Sequence, residues 1–598
     1  MADLLGDARR FEDSCSVLVA VRRIDGRPVR GRTEVIQRPC SDALHQGWRV
    51  RATGVLRRPA EGPHALIPGA AERLARQGSW SQLRVQELQV LRRPWTPVAD
   101  ARRQIAERLQ AAAGEERGGL MAALVLGSAQ VQLPADLRQA FRRAGLSHAL
   151  AASGFHLSVL LGASLSLGRL FGKSVRLLLA GSALMLFLTL AGAQPSVVRA
   201  VLMGAAALLI RESGQRSKGF GVLLLSLILM LLIHPAWARS IGFQLSAAAT
   251  AGLVVSAPAF EAWLTAALPG GLVWLAPALA IPTAALLWTL PLQWLHFGSA
   301  PLYGVLANLL ATPLLGVLTL ASMLLALLSL CVPPAWLAWL AWPVQGLVGL
   351  PIGLVSWISS WPGAQLLTGH PNPWLVGLLV VGLLLWLPPW PSAWRAMSPL
   401  LMLSAVVMHG HAQFADGVVN VQQLRRHWLL ARHQGRAALI SSSGDAAGCR
   451  VARRLVEGHG HRQLDWVLLL DPVPTETLSC WQALARTVVS EQQGQAPLAM
   501  GQRLVSRGLS LQLLADRGQP MLLRAGRQRW WLLPNPQALW SLQARRTGVD
   551  RGRIDGVWLG FRPNADQRHW LDQQQAASGS RSRLGWRRLA LGEVAESG

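Results

Sequence analysis

Hydrophobic and polar residues alternate in short runs over residues 1–100 of this chain. The runs include residues 16–24 (SVLVAVRRI), 49–58 (RVRATGVLRR) and 83–91 (LRVQELQVL), with Gly and Pro between them. A period of two between turn residues predicts the strands of a small antiparallel barrel or sandwich. The size suits an OB-like β barrel, and a generic small β domain would leave the same pattern.

The pattern becomes helical at residue 101 and almost continuously apolar from residue 145. Residues 101–144 are rich in Ala, Arg and Glu, which predicts a helical linker or entry segment. Residues 145–410 form the apolar zone, and no Asp, Glu, Lys or Arg occurs between Ala262 and Trp394. At about 20 residues per span, the zone predicts about ten membrane-spanning helical segments. We expect them to begin near residues 159, 177, 197, 220, 242, 272, 301, 318, 344 and 374, with another near 399.

The last zone, residues 411–580, is polar again and alternates buried strand-like runs such as DWVLLLD with helical stretches. This alternation predicts a layered α/β domain, followed by a tail over residues 581–598. No internal repeat is evident. The predicted fold class is therefore a multi-domain, α-helical, polytopic membrane protein with an N-terminal OB-like β domain and a C-terminal α/β domain.

Composition narrows the function classes. Hydrophobic residues make up 51% of the chain and charged residues 15%, which excludes a wholly cytosolic enzyme, a disordered chain and a disulfide-rich secreted domain. The net charge is +27, with only two lysines, so the positive charge is nearly all arginine. Arginine suits phosphate recognition, although codon bias would give the same excess. The five cysteines form no CxxC pair, and we expect neither a zinc site nor a disulfide framework.

Charge near the apolar segments predicts their orientation. The first residues, MADLLGDARRFEDSC, contain no apolar run, so we expect no signal peptide. Two short loops, residues 169–176 and 211–218, are basic and are separated by two predicted spans. The positive-inside rule places both in the cytoplasm and the turn at 192–196 on the outer side.

Polar residues at the start of the apolar zone are the first candidate site. The segment GLSHALAASGFHLS contains His148, Ser153, Gly154 and His156. On one continuous helix the two histidines would share a face, and Ser153 would neighbour His156. Polar groups in a membrane domain usually face the bundle interior or water. Small-residue packing at the membrane interface is the alternative, and no further ligands suggest a metal site.

Two further polar groups follow in the same zone. Pro195 suits a helix start, where free amides and Arg199 would together offer a positive contact for phosphate. The alternative is an arginine that snorkels to the surface. The second group contains further candidates from the apolar zone, and each of them alone is more typical of a helix-packing hydrogen bond than of a functional group. These candidates are Gly242, Gln244, Ser246, Gln293, His296 and Asn308.

The motifs resemble those of a known family. GLSHALAASGFHLSVL is similar to the GLSHLLAISGLH signature of the ComEC family, the DNA-internalisation channel of natural transformation. ALVLG precedes it, and QPSVVRAVLM, HPAWARSIGFQLSAAATAGL, LPLQWLHFG and ANLLATP follow in the family's order. The resemblance implies an OB-like domain that meets DNA outside the membrane. It also implies a competence domain through which one DNA strand enters.

The resemblance gives the candidate residues a role. They would line the path of single-stranded DNA across the bacterial inner membrane and offer hydrogen bonds and one positive charge, without a cofactor. It also implies partners: a DNA receptor and pilus machinery outside, and a helicase-like motor inside. The chain has no GxxxxGK[ST] motif for ATP hydrolysis. The alternatives are a membrane-anchored metallo-hydrolase or nuclease, and a small-solute transporter.

The family's C-terminal domain resembles a metallo-β-lactamase-type hydrolase, but this chain departs from its metal motifs. Residues 420–425 (NVQQLR) replace the usual DVGQGD, and residues 471–476 (DPVPTE) replace HxDxDH. Asp471 and Glu476 alone do not make a metal site, and we expect His459 and His461 on the surface. We therefore expect no enzymatic activity. Six tryptophans (Trp428, Trp466, Trp530, Trp531, Trp558 and Trp570) are predicted mostly as core, with DNA stacking as the alternative.

Overall fold

The computed structural model describes residues 1–11, 14–40, 44–214, 218–386, 391–424, 426–490, 498–544, 554–577 and 587–589. The chain divides into two compact units. Unit 1 comprises Met1–Pro59, Arg73–His296 and Ala300–Leu366, and unit 2 comprises Ala60–Glu72, Phe297–Ser299 and Leu367–Gly598. Of the predicted tail, only 587–589 lies within the described residues.

The N-terminal sheet of unit 1 closes on itself like a barrel. Its strands are β1 (Ala2–Leu4), β2 (Arg9–Phe11), β3 (Ser14–Ile24), β4 (Arg27–Gln37), β5 (Arg49–Arg57) and β6 (Gln82–Arg92), with helix α1 (Ala70–Ala75) before β6. The order is β1-β5-β6-β4-β3-β2, and β1 also pairs with β3. Alternate residues such as Val17, Val19 and Val35 fill its core. The predicted N-terminal β structure is confirmed as a barrel-like sheet.

Disulfides correct one expectation from the sequence. Cys15 pairs with Cys40 in the barrel, and Cys449 pairs with Cys480 in the C-terminal domain, whereas Cys331 is free and exposed. The spacing of the cysteines could not show this. Cys15 lies opposite Gln37 in the β3–β4 ladder, so the turn of chain after β4 brings Cys40 back to it.

Unit 1 continues as a helical bundle. Its helices are α2 (Pro97–Leu126), α3 (Ala135–Arg143), α4 (Ser147–Leu150), α5 (Gly154–Gly168), α6 (Lys173–Ala191), α7 (Pro195–Glu212), α8 (Gly219–Ile233), α9 (Ile241–Val255), α10 (Ala257–Ala267), α11 (Leu275–Phe297), α12 (Gly304–Cys331) and α13 (Pro334–Ser360). Short strands β7 (Ser299–Pro301) and β8 (Gln365–Leu367) flank the last two helices. The second half of α2 is buried in the core of the bundle, together with residues of α12 and α13.

Within the described ranges, five helices are long and apolar enough to cross a membrane, or six if the bent pair α9–α10 counts as one span. The five are Gly154–Phe171, Lys173–Ala191, Leu275–Phe297, Gly304–Cys331 and Pro334–Ser360. The sequence predicted about ten, with separate segments near 301 and 318. That division is wrong because α12 runs unbroken through Pro313, and neighbouring groups can satisfy the backbone that a proline leaves unbonded.

Two apolar helices, α14 (Pro373–Trp386) and α15 (Ser392–Phe414), lead into the C-terminal domain of unit 2. Its strands are β9 (Gly417–Gln423), β10 (Arg426–His433), β11 (Arg436–Ser441), β12 (Leu464–Leu469), β13 (Ala485–Ser490), β14 (Arg503–Ser506), β15 (Leu509–Leu513), β16 (Met521–Ala525), β17 (Gln528–Leu533), β18 (Gly556–Leu559) and β19 (Arg587–Leu589). Its helices are α16 (Ala446–Gly458), α17 (Thr475–Leu484), α18 (Pro536–Ala544) and α19 (Ala565–Ala577).

The C-terminal domain has four layers, helix–sheet–sheet–helix. The sheets have the orders β13-β12-β11-β10-β9 and β14-β15-β16-β17-β18-β19. One apolar core fills the space between them, while α16 and α17 cover the first sheet and α18 and α19 the second. Each half of the domain begins with an antiparallel meander. Two further strands follow, each after a helix, and each pairs parallel with the strand before it. The sequence shows no such repeat, because the two halves share topology rather than residues.

Candidate functional site

The turn before α4 is shaped by a glycine. Gly145 has a φ of +80°, and a Cβ there would lie 2.9 Å from Cβ of Pro301 and 3.0 Å from Cα of Gly304. Glycine therefore permits this segment to pack on the start of α12. The exposed His148 side chain interacts there with the Asn308 side chain. Asn308 donates from Nδ2 to the Gly304 carbonyl at 2.7 Å.

The two histidines of the first motif do not share one helix. The chain is extended between α4 and α5, so the shared face that one continuous helix would give His148 and His156 does not form. Ser153 and His156 are neighbours as expected, with 3.0 Å between Oγ and Nδ1. His156 is fully buried, and its Nε2 has no partner among the residues described. Ser153 is half-buried.

Arg199 joins α7 to α9. Pro195 begins α7 as predicted, and Gly154 lies beside Arg199, since a Cβ there would be 3.6 Å from a guanidinium nitrogen. Arg199 is 8% exposed and donates to the Ser246 carbonyl and to Oγ1 of Thr250. It does not snorkel to the surface. Thr250 was not among the predicted residues, because the sequence does not show that α7 and α9 are neighbours.

A second polar contact joins α9 to α11. His296 Nε2 lies 2.7 Å from Oε1 of Gln244, whose Nε2 donates to the Ala238 carbonyl at 2.9 Å. Gln293 instead donates to Oγ1 of Thr289 on its own helix at 2.8 Å. Gly242 is exposed in the first turn of α9 and takes no part in these contacts.

The contacts group the candidate residues into three polar clusters: His148 with Asn308, Ser153–His156 near Arg199, and Gln244 with His296. The Arg199 cluster and the Gln244–His296 cluster meet on α9, because this helix carries the hydrogen-bond partners of both Arg199 and His296. Only two carboxylates, Glu212 and Glu261, occur between residues 145 and 360. The arrangement therefore offers neutral hydrogen-bonding groups and one buried cation, which suits an anionic or neutral solute better than a cation.

Comparison with known proteins points to natural competence. Residues 124–393 match the family model described as Competence protein. The match includes all the candidate residues of the helical bundle. The chain is also 29% identical over 280 residues to ComE operon protein 3 of Bacillus subtilis (strain 168), covering 45% of this chain and 34% of that protein. Both matches support a competence-type family. The alignment spans about a third of the relative, and no solved structure matches.

The competence match ends before the C-terminal domain, which contains its own unusual residues. A small cavity between the sheets is lined by His427, Leu429, Ile440, Ser442, Leu470 and Trp558. His427 Nδ1 and Trp558 Nε1 are buried without a partner in the described part of the domain. The described residues contain no group of three or more His, Cys, Asp or Glu placed to bind a metal. Arg425, the last residue of the NVQQLR segment, lies outside them.

The histidines after α16 correct another expectation. His461 is 7% exposed and His459 is half-buried, so the prediction that both lie on the surface is wrong. Burial, together with the positive charge of Arg432, lowers the pKa of His459 to about 3 and that of His461 to about 4. The tight approach of Gly369 to Gly460 encloses this turn. The tryptophans behave as expected, because all six except the half-buried Trp570 are core residues.

Proposed function

We propose that this protein is a multi-pass channel of the bacterial inner membrane that admits single-stranded DNA during natural transformation. The main support is that the polar contacts between helices all lie within residues 124–393, the range that matches the Competence protein model. These contacts involve α4, α5, α7, α9, α11 and α12. A hydrated path with few carboxylates would bind a polyanion weakly enough to release it. The accessible groups, such as His148 and Asn308, would face the strand.

Buried residues would have a different task in this channel. Arg199 and His156 are enclosed by protein, so they would hold the helices around the path rather than touch every nucleotide. Arg199 also places a positive charge close to Gly154 at the start of α5. The fixed charge would attract the backbone of the strand, while its hydrogen bonds to α9 would prevent a long-lived ion pair with phosphate.

The barrel would receive the DNA. Without the short β2, its strands follow the order of an OB fold: antiparallel pairs, except for the parallel β4–β6 pair that closes the Greek key. Arg51, Arg57 and Arg84 are exposed on β5 and β6, and Arg93 stacks on Trp48 at 4.6 Å. Such surfaces bind single strands through backbone charge and base stacking. A DNA receptor and pilus machinery outside and a helicase-like motor inside would complete the pathway.

The C-terminal domain would assist without cleaving DNA. Its four layers and duplicated topology would suit a metallo-β-lactamase-type fold, which supports the proposal that it descends from a hydrolase. The residues at the expected metal positions, Asp471 and Glu476, are too few for a metal centre. Stoichiometric zinc or manganese in the purified protein would instead favour a membrane-anchored nuclease.

The central experiment separates DNA binding from DNA entry. In a competent host, Arg199→Ala should abolish uptake of DNA into the cytosol while surface-bound DNA stays at the wild-type level, because the α7–α9 contact and the buried charge are lost together. Arg211→Ala is the matched control, since Arg211 is exposed on the same helix. Normal transformation by an Arg199→Ala protein present at wild-type amounts would remove Arg199 from the path.

A further inference from the structure

Arg432 is a half-buried arginine that forms no ion pair with any of the residues that the structure describes. It lies at the end of β10 on the side that faces the helices, and burial lowers the pKa of its guanidinium. Its Nε is enclosed and has no partner in the described structure. Two acids at the ends of neighbouring strands bond other residues: Asp416 contacts His433 at 2.6 Å, and Asp465 accepts from Arg436 at 2.9 Å. An enclosed charge without a partner is costly, so it requires an explanation.

Two histidines complete a basic cluster around Arg432. His461 bonds the Gly435 backbone through one ring nitrogen, while its Nε2 is buried with no partner among the described residues. His459 donates from Nδ1 to the Leu455 carbonyl at 2.8 Å, and His64 lies beside it with 5.9 Å between ring centroids. Arg432 acts electrostatically on both His459 and His461. Asp465, the one acid that acts on His461, is bonded to Arg436.

The cluster lies next to the end of α15, a helix with an exposed apolar face. Gly435, which His461 contacts, approaches Phe414, the last residue of α15, so closely that a Cβ would lie 3.0 Å from the Phe414 ring. Leu400, Leu403, Val406 and Val407 of α15 are each more than half exposed. Exposed apolar surface of this kind marks an interaction site for a membrane or a protein, which makes the headgroup of a lipid one source to test for an anion bound beside it.

We propose that Arg432 and His461, with His459 at the edge, form a binding site for a phosphate-type oxyanion, supplied by the headgroup of an anionic lipid or by free phosphate. The guanidinium fork gives two parallel hydrogen bonds to such an anion, and the imidazole gives a contact from a second direction. Without an anion, the positive charge of Arg432 disfavours protonation of His461 at Nε2. A bound anion would favour protonation of this nitrogen, because its negative charge lies beside the imidazole. The suggestion that a lipid supplies the anion depends on the membrane location in the proposed function, whereas the suggestion that an anion binds here does not.

Thermal unfolding of the full-length protein in neutral detergent tests the site with inorganic phosphate, against chloride at equal ionic strength. Phosphate should raise the melting temperature of the wild type, and Arg432→Gln and His461→Gln should weaken this effect at least tenfold in apparent affinity. Arg462→Gln is the matched control, because Arg462 is exposed beside His461. In chloride, Arg432→Gln should melt no lower than the wild type, since it removes an unpaired charge.

Nanodiscs of phosphatidylcholine with phosphatidylglycerol distinguish the two sources. If a lipid supplies the anion, native mass spectrometry should show phosphatidylglycerol retained by the wild type and Arg462→Gln, but not by Arg432→Gln or His461→Gln. A response to phosphate alone assigns the site to a free anion. The proposal is overturned if the wild type responds to neither, or if both site variants respond as it does. Transformation is not measured, so failure of the proposed channel would leave this result unaffected.

Discussion

Arg199 and Glu34 are buried ionic groups whose hydrogen-bond partners are known only from the structure. Arg199 could be selected from its place in an apolar zone, but Thr250 could not, because nothing in the sequence shows which helices adjoin. Glu34 was not selected at all. It is 4% exposed in β4, where Arg73 donates to both carboxylate oxygens at 2.9 and 2.8 Å, and Gln82 donates at 2.6 Å.

This contact predicts acid sensitivity of the barrel. Burial would raise the pKa of Glu34, but hydrogen bonds from Arg73 and Gln82 outweigh it and lower the pKa. The stabilisation is therefore fully present above the usual pKa of about 4.5 and is lost as pH falls through the lowered value. Glu34→Gln should cost about 1–3 kcal/mol at neutral pH and remove this part of the pH dependence.

Hydrogen exchange of β4 in the full-length protein measures the effect of Glu34. Protection of β4 should fall in Glu34→Gln, whereas the exposed Glu87→Gln on β6 should leave it unchanged. Equal protection in wild type and Glu34→Gln between neutral and acidic pH would show that the Arg73 contact adds no stability.

At the scale of elements, the periodicity of the sequence predicted the strands well, but the sequence predicted the boundaries of helices poorly. The alternating runs correspond to β3, β5 and β6, because period two depends only on having one buried face. The expected division of α12 into segments near 301 and 318 does not exist, while the break between α4 and α5 follows a run of Ala and Ser that gives no clear signal. The disulfide between α16 and α17 depends on the packing of two helices and left no local signal.

That disulfide should stabilise the C-terminal domain. Cys449 and Cys480 are 31 residues apart in sequence, and closing a loop of this size in the unfolded chain is worth about 3–4 kcal/mol. Cys449→Ser with Cys480→Ser should lower the urea midpoint of this domain in the full-length protein, as followed by tryptophan fluorescence. Cys331→Ser should leave the midpoint unchanged, because Cys331 is exposed and unpaired. An unchanged midpoint in the double variant would mean that the pair contributes nothing.

At the scale of the whole molecule, the charge of the loops predicts which helix ends share one side of a membrane, whereas the hydrophobic pattern predicts only the length of each segment. The two basic loops expected on one side of the membrane do meet, since Lys173 and Arg176 both pair with Glu212, at 3.1 and 2.8 Å. The ends of α6 and α7 therefore lie together, with the 192–196 turn at the far end of both helices. Composition identified an apolar protein, but it could not reveal the cysteine pairing, which bears on the compartment that each soluble domain occupies.

Both disulfides predict that their domains mature outside the cytoplasm, because cytoplasmic thiols are kept reduced. In denatured protein from cells trapped with acid, a mass-tagged maleimide should add one tag, at Cys331, before reduction and five after it. A membrane-impermeant reductant applied to intact spheroplasts should open both pairs, whereas a cytoplasmic thiol protein serves as the control for lysis. Five tags without reduction would contradict the pairing. If both disulfides resist the impermeant reductant until the cells are lysed, they do not face the outer solution. This result would reverse the orientation that the basic loops predict.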